Sequence, residues 1–452
     1  MNIIIAGGGK VGVTLARQLS AEGHDLTLID MNKSVLESTM EQYDVMTVQG
    51  NCAAMGVLQE ARVREADLLI AATTADEVNL LCCMTAHGLN PKLHTIARIR
   101  KPEYTQQIFK MRDAFGLSLT VNPEKQAARE IERLLKYPGF LKRDTFAKGR
   151  AEIVELRVEE KSKLCNVSLL DIYGIVKCKV LVCAVLRNGT AIMPRGDFVL
   201  REGDRIFVTA PTSNLTTLLK NLGIITRRVR RVILCGGDRI SYYLAQLLEK
   251  DGISVQIIEH NETRCRELAT LLPNSNIIFG DCSNQAQLEN EGLEDCDAVV
   301  TLTGLDEMNM IISLYAASRG VPQVITKLGR YENNQLADSI ALGSVICPRD
   351  LCSNNIVRYV RAMQNQTGAA VSVHAIADGQ AEAMEFLLDD STKNCGKPLK
   401  ELKLKSNVLI ASIVRGTQAE IPNGESVFHS GDSVVVVTSN GAVLHQFNDI
   451  FA

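Results

Sequence analysis

Short apolar runs alternate with amphipathic stretches along the first 100 residues. Ile3, Ile4, Ile5 and Ala6 follow one another without a polar break, the pattern of a strand buried on both faces. Residues 11–21 then carry Val11, Leu15 and Leu19 at helical spacing. Residues 26–29, 45–48, 68–72 and 95–99 read as further strands, and 34–41, 53–61 and 77–86 as helices. Alternating strands and helices of this length predict βαβ units and a mostly parallel sheet. The order recurs over residues 231–346. Between these blocks the pattern changes. Residues 152–159 read EIVELRVE, with period two, and Arg187-Asn188-Gly189 marks a tight turn after the apolar residues 180–186. Short strands at 192–194, 198–200 and 205–208, separated by Gly or Asp, predict a small α+β unit.

The chain repeats itself. NIIIAGGGKVGVTLARQLSAEGHDLTLIDMN at 2–32 aligns without a gap on RVILCGGDRISYYLAQLLEKDGISVQIIEHN at 231–261. Gly50-Asn51-Cys52 matches Gly280-Asp281-Cys282, and Asp76, Glu77 and Asn79 match Asp306, Glu307 and Asn309. AIMPRGDFVLREGDRIFVTA at 191–210 matches AEIPNGESVFHSGDSVVVVT at 419–438. Duplication of a two-domain module produces this layout. The expected fold class is α/β: two Rossmann-like doubly wound parallel-sheet domains, each followed by a small α+β domain, in tandem. The expected domains are 1–140, 141–226, 230–361 and 362–452, with linkers near 141–150, 226–231 and 362–368.

Gly7-Gly8-Gly9-Lys10-Val11-Gly12 contains G-x-G-x-x-G directly between a strand and a helix. Gly7 permits the turn, Gly9 lets a pyrophosphate approach the backbone, and Gly12 lets the helix pack on the sheet. The helix N-terminus offers N–H groups to phosphate. Asp30 closes the second strand, where a carboxylate accepts from ribose hydroxyls. These residues point to an adenine dinucleotide, NAD or NADH, with ATP or ADP as alternatives that share the same contacts. The competing reading is a glycine turn that only packs a helix. Thr73 and Thr74 fall at the carboxyl edge of the sheet, to line the nucleotide or to cap the next helix together with Asp76. Arg98 and Arg100 share one strand face and call for a phosphate or a carboxylate such as Asp76 or Glu77. In the second half the loop reads Gly236-Gly237-Asp238-Arg239-Ile240-Ser241. Asp238 and Ser241 replace two glycines, Arg239 stands beside the new charge, and Glu259 keeps the ribose acid. A second nucleotide site and a purely structural one both remain open.

Composition narrows the function. The 452 residues are 46% hydrophobic and 22% charged, with a formal net charge of -3. That balance and the scarcity of aromatics (4%, no Trp) disfavour nucleic acid as a partner. The basic run at 227–231 reads as a solvated linker. The longest stretches free of Asp, Glu, Lys and Arg are 16 residues, short of the roughly 20 a helical span needs. MNIIIAGGG has no basic region ahead of its apolar run, so a strand is expected there rather than a signal peptide. Thirteen Cys without a C-x-x-C pair read as reduced and mostly buried. No metal spacing, P-loop or nucleophile elbow is present, and the small domains offer few acid–base groups for a dehydrogenase.

The motifs GGGKVG at 7–12, LTLID at 26–30, VQGNC at 48–52, ATTADEVN at 72–79 and ARIR at 97–100 resemble the regulator-of-potassium-conductance (RCK) family. The tandem layout is similar to that of the peripheral regulatory subunits of bacterial Trk potassium-uptake systems, over essentially the whole chain. The resemblance implies a non-enzymatic gating subunit on the cytoplasmic face of the inner membrane. It implies a homo-oligomer, a dimer of tandem chains or a larger ring, beneath an integral-membrane potassium-translocating partner. The family's nucleotide residues fall on Gly7, Gly8, Gly9, Lys10, Val11, Asp30, Thr73, Thr74 and Arg98. In the second half they fall on Gly236, Gly237, Asp238, Arg239, Ile240, Glu259 and Thr303. A soluble NAD-dependent oxidoreductase and a redox-sensing transcriptional regulator are the alternatives. The first would need a polar substrate pocket above the glycine loop, the second a DNA-binding helix pair.

Overall fold

A computed structural model describes residues 1–136, 140–224, 229–329, 342–363, 370–439, 444 and 446–452. Strands β1 (Asn2–Ala6), β2 (Asp25–Asp30), β3 (Met46–Gln49), β4 (Leu68–Ala71), β5 (His94–Arg98) and β6 (Leu119–Val121) form a parallel sheet ordered β3-β2-β1-β4-β5-β6. Helices cover both faces, which is why β4 is apolar and buried throughout. The strand order reverses between β1 and β4. This switch point opens a cleft at the carboxyl ends of the strands. An antiparallel sheet follows, from β7 (Lys142–Phe146), β8 (Ala151–Arg157), β9 (Leu181–Arg187), β10 (Thr190–Ile192) and β11 (Arg205–Pro211), ordered β10-β9-β11-β8-β7.

The second half repeats both sheets. β12 (Arg231–Cys235), β13 (Ser254–Glu259), β14 (Asn276–Phe279), β15 (Ala298–Thr301), β16 (Gln323–Lys327) and β17 (Ser344–Ile346) are parallel in the order β14-β13-β12-β15-β16-β17. β18 (Ala370–Ile376), β19 (Ala381–Leu387), β20 (Val408–Arg415), β21 (Gln418–Glu420) and β22 (Ser433–Ser439) are antiparallel in the order β18-β19-β22-β20-β21. The expected fold class is therefore the one found.

Some local expectations change. Residues 141–150, read as a linker, contain β7, which pairs with β8. Residues 198–200 form no strand; Val199 makes one isolated bridge to Ser168, and Arg187 stacks 4.6 Å from the Phe198 ring centroid. β8 alternates in sequence but is buried on both faces. Its acids are neutralised there: Arg143 Nε donates to Glu152 at 3.0 Å, and Arg205 Nε to Glu155 at 2.5 Å. Asn188 and Gly189 both take positive φ, as the expected tight turn requires. Of the other two linkers, 226–228 and 364–368 lie outside the described residues. Arg230 and Arg231 are held in order, both backbone N–H groups donating to Asp297.

The two halves exchange helices. Pro123–Lys136 begins at a proline, with Asn122 accepting from the Lys125 N–H. Its apolar face, Ala127, Ala128, Ile131, Leu134 and Leu135, shares a core with Tyr243, Leu244 and Leu248 of the helix Arg239–Lys250, in the other half. In return, Pro348–Met363 sends Cys352, Ile356, Val357 and Val360 against Leu15, Ala16 and Leu19 of the helix Lys10–Ala21. Each exchanged helix ends on a cation paired with an acid across the boundary: Lys136 with Asp251 at 2.9 Å, Arg361 with Glu22 at 2.5 Å. Gln323 Nε2 donates to the Leu134 carbonyl at 2.8 Å, and Ser344 to that of Phe140 at 3.0 Å.

The antiparallel sheets also meet. Phe146, Ile153 and Phe207 share a core with Ile376, Ala383, Ala411 and Val435. Asp144 and His374 are equivalent positions of the repeat and lie 2.9 Å apart. Burial alone would raise the pKa of Asp144, but the Lys142 ammonium and His374 outweigh it and hold the carboxyl at about 2.

Two outcomes are expected. Ile356→Ala leaves a cavity under Leu15 and Leu19 and costs about 2–5 kcal/mol. Hydrogen exchange should quicken in the helix Lys10–Ala21, although the mutation lies in the other half. A depressed carboxylate stabilises the fold above its unfolded pKa and loses that contribution as pH falls through its folded pKa. The thermal midpoint of wild type should therefore exceed that of Asp144→Asn above the ordinary value of 3.8, with the gap closing toward pH 2.

Candidate functional site

The cleft of the first half is built from the loop after β1. Gly7 sits at φ +108°, and a Cβ there would lie 2.9 Å from Thr73 N. A Cβ on Gly12 would lie 1.9 Å from the Gly7 carbonyl oxygen, so only glycine lets the helix Lys10–Ala21 approach. A Cβ on Gly8 would meet Val35 at 2.6 Å. Gly9 differs: no atom lies within 4 Å of a Cβ built on it. It is also the N-cap of the helix, in extended backbone and with no side-chain cap. The positive end of the helix therefore faces an open volume, the requirement for a diphosphate. Val11 is buried beneath it.

Asp30 ties the loop to β2. One carboxylate oxygen accepts the Gly8 N–H at 2.6 Å, the other the Asn32 N–H at 2.8 Å. It stands at the end of β2, beside the loop, where a ribose hydroxyl would meet it.

Across the switch point Thr73 is immobilised by Asn79. The Thr73 N–H and hydroxyl donate to Asn79 Oδ1 at 2.8 and 2.7 Å. The Asn79 amide donates to the carbonyls of Thr73 and Arg98, at 3.2 and 2.8 Å. Asn79 thus orders the edge of the cleft; in the sequence it stood out only as a residue that recurs at Asn309. Neither Thr74 nor Asp76 caps the helix Asp76–Leu89, whose N-cap is Ala75. Asp76 instead accepts the backbone N–H groups of Arg100 and Lys101, at 2.8 and 2.7 Å. Thr74 is exposed, and its carbonyl accepts from Arg100.

Arg98 Nη2 donates to the Thr73 carbonyl at 2.6 Å, while its Nε is buried with no hydrogen-bond partner. Burial lowers its pKa, and Arg100 beside it adds to the effect. Arg100 lies 3.9 Å from Asp76 and 3.8 Å from Glu124. Burial pushes the Glu124 carboxyl up, opposed by Arg100, Arg98 and, from the other half, Arg239. Lys10 also reaches the other half, its Nζ lying 3.8 Å from a Cβ built on Gly329. Residues at the edge of the first cleft thus lie beside residues of the second half.

The second cleft keeps the frame. Gly236 has φ +107°. Glu259 accepts the N–H groups of Gly237 and Asn261 at 2.6 and 2.8 Å, as Asp30 does. Thr303 is held by Asn309 as Thr73 is by Asn79. Asp238, the counterpart of Gly9, caps its own helix by accepting the Ser241 N–H at 3.0 Å. Lys327, the counterpart of Arg98, places Nζ 2.8 Å from the Asp238 carboxylate and 3.1 Å from the Leu302 carbonyl. The sequence suggested Arg239 for that role, but the cation that pairs with Asp238 is Lys327. Ile240 is buried under the loop.

Comparison with known proteins agrees with this fold. The TrkA-N domain model matches residues 3–123 and 232–348, and the TrkA-C domain model matches 153–223 and 383–452. The Trk system potassium uptake protein TrkA homolog of Archaeoglobus fulgidus is 33% identical over 437 residues, 96% of this chain and 97% of that protein. TrkA of Halomonas elongata is 31% identical over 445 residues, 96% of this chain and 95% of that protein. The solved GsuK channel shares the fold at TM-score 0.62 and 18% identity, over 97% of this chain and 77% of that one; its form described as bound to NAD gives 0.60. With family models covering most of its length and relatives matching it end to end, the chain belongs to the family of Trk-system potassium uptake proteins built from paired TrkA-N and TrkA-C domains.

Proposed function

We propose that this chain is the nucleotide-responsive regulatory subunit of a potassium-uptake system, and not an enzyme. It would bind NAD, NADH, ADP or ATP and act through a membrane potassium-translocating partner from the cytoplasmic side. The observation that carries the reading is the first cleft: an uncapped helix N-terminus open over Gly9, with Asp30 fixed beside it. Both are what an adenosine diphosphate moiety requires. The relatives' role in potassium uptake and the NAD-bound GsuK channel support the same assignment. Among the described residues no helix is long and apolar enough to cross a membrane, so translocation falls to a partner.

The bound group supplies negative charge at the helix N-terminus and a ribose at Asp30. The N–H groups of Lys10, Val11 and Gly12 would face the phosphates, and Thr73 and Arg98 would line the far edge. Regulation needs one arrangement of the two halves to bind the nucleotide better than another. Lys10 of the loop lies beside the Gly329 segment of the other half, and the exchanged helices join the cores of the two halves.

Assembly is the remaining element. The helices Asp76–Leu89 and Asp306–Ser318 expose Leu81 and Met84, and Ile311 and Leu314, at matching positions of the repeat. Paired apolar faces on both halves suit a homo-oligomer, and a ring could then surround a pore.

Asp30→Ala removes the charged acceptor, and NADH affinity should fall about 10- to 100-fold, the loss of about 1.5–3 kcal/mol for a charged hydrogen bond. Calorimetric titration measures it; unchanged affinity would rule out this cleft as the site. Leu81→Asp combined with Ile311→Asp should reduce the assembly to a smaller species in light scattering while leaving NADH affinity unchanged.

A further inference from the structure

The two clefts share a frame but not a floor. In the first, the volume over Gly9 is open and the helix is uncapped. In the second, the residue at that position carries a carboxylate into the corresponding volume. Asp238 Oδ1 accepts the Ser241 N–H, one of the donors a phosphate would use, and Oδ2 meets the Lys327 ammonium. The loop beneath is closed further. Ser241 Oγ donates to the Gly236 carbonyl at 2.5 Å, where the first half has only the hydrogen of Gly12. Arg264 Nε donates to the Gly237 carbonyl at 2.7 Å, where the first half has the apolar Val35.

We infer that Asp238 is a built-in anion that takes the place of the nucleotide's phosphates in the second cleft, so each chain binds one adenine dinucleotide. This inference rests on the function proposed above and adds its stoichiometry and the device that sets it. An anion, its counter-cation and a helix N-terminus are all present, as they would be with phosphate bound. The anion is covalent, so the site no longer responds to nucleotide concentration. An incoming pyrophosphate would have to displace Asp238 from Lys327 and then lie against its charge. Glu259 keeps its two backbone contacts because they hold the loop to β13, which explains its presence without a ribose. The duplication has thus produced one responsive half and one half fixed by its own side chain.

Calorimetric titration of the full-length chain with NADH tests this. Wild type should bind one equivalent per chain; Asp30→Ala should weaken that equivalent about 10- to 100-fold and Glu259→Ala should leave its affinity unchanged. Asp238→Gly combined with Ser241→Gly restores the glycine pattern and should raise the count to two. Circular dichroism confirms that each variant is folded, and Asp238→Gly alone serves if the double variant is not. Two equivalents in wild type, or one whose affinity Asp30→Ala leaves unchanged, would overturn the inference while leaving nucleotide sensing intact. A folded glycine variant that still binds one equivalent would overturn it as well. No binding by wild type would remove the functional reading itself, and this inference with it.

Discussion

The reciprocal burial of two helix faces holds this molecule together. The helices Pro123–Lys136 and Pro348–Met363 both reach across the boundary between the halves. Each lays its apolar stripe on the first helix of the other Rossmann unit. A helix with such a stripe gains little stability until the stripe is buried. Burying a Leu or Ile contributes about 1.5–3 kcal/mol. With five buried residues on one helix and four on the other, the apolar contacts outweigh the two partly exposed ion pairs at the helix ends, Lys136–Asp251 and Arg361–Glu22. The ion pairs fix register more than stability. Neither Rossmann core is closed without the other half.

That constraint gives the duplication its value. Two identical subunits related by a two-fold axis would bring equal residues together at the axis. Asp144 would face another Asp144 and repel it. Joined in one chain, the two copies diverged, and Asp144 faces His374. The same freedom acted on the glycine loops, where the copies carry Gly9 and Asp238. Tandem fusion thus permits one half to specialise while the other supplies a matching surface.

For a regulatory subunit this is a useful geometry. The first loop opens the helix whose Leu15 and Leu19 share a core with Ile356 of the second half, a physical route between the loop and that half. Closely packed cores shift between discrete arrangements rather than deform smoothly. A small displacement at the cleft is therefore suited to moving a whole domain.

The sequence alone determined the Rossmann order, the repeat and the first glycine loop, because each rests on local chemistry. Buried parallel strands must be continuously apolar, and only glycine fits at Gly7 and Gly12. It also carried Asp30, whose distance from the loop is set by one βαβ unit. Tertiary structure decided the rest. The stripe of Ala127, Ile131 and Leu134 marks a helix that must be buried, but a stripe does not name its partner. Strand β7 was hidden because Lys142, Arg143 and Asp144 read as a polar linker until Glu152 and His374 neutralise them. Asn79 showed in the sequence only as a repeated residue, because its partners Thr73 and Arg98 come together only when two strands pair. Asp238 could be seen to break the glycine pattern. That Lys327 would meet it could not, because β16 lies beside β15 only once the sheet is assembled. Pairings between distant residues depend on which surfaces find one another, and no single segment encodes that.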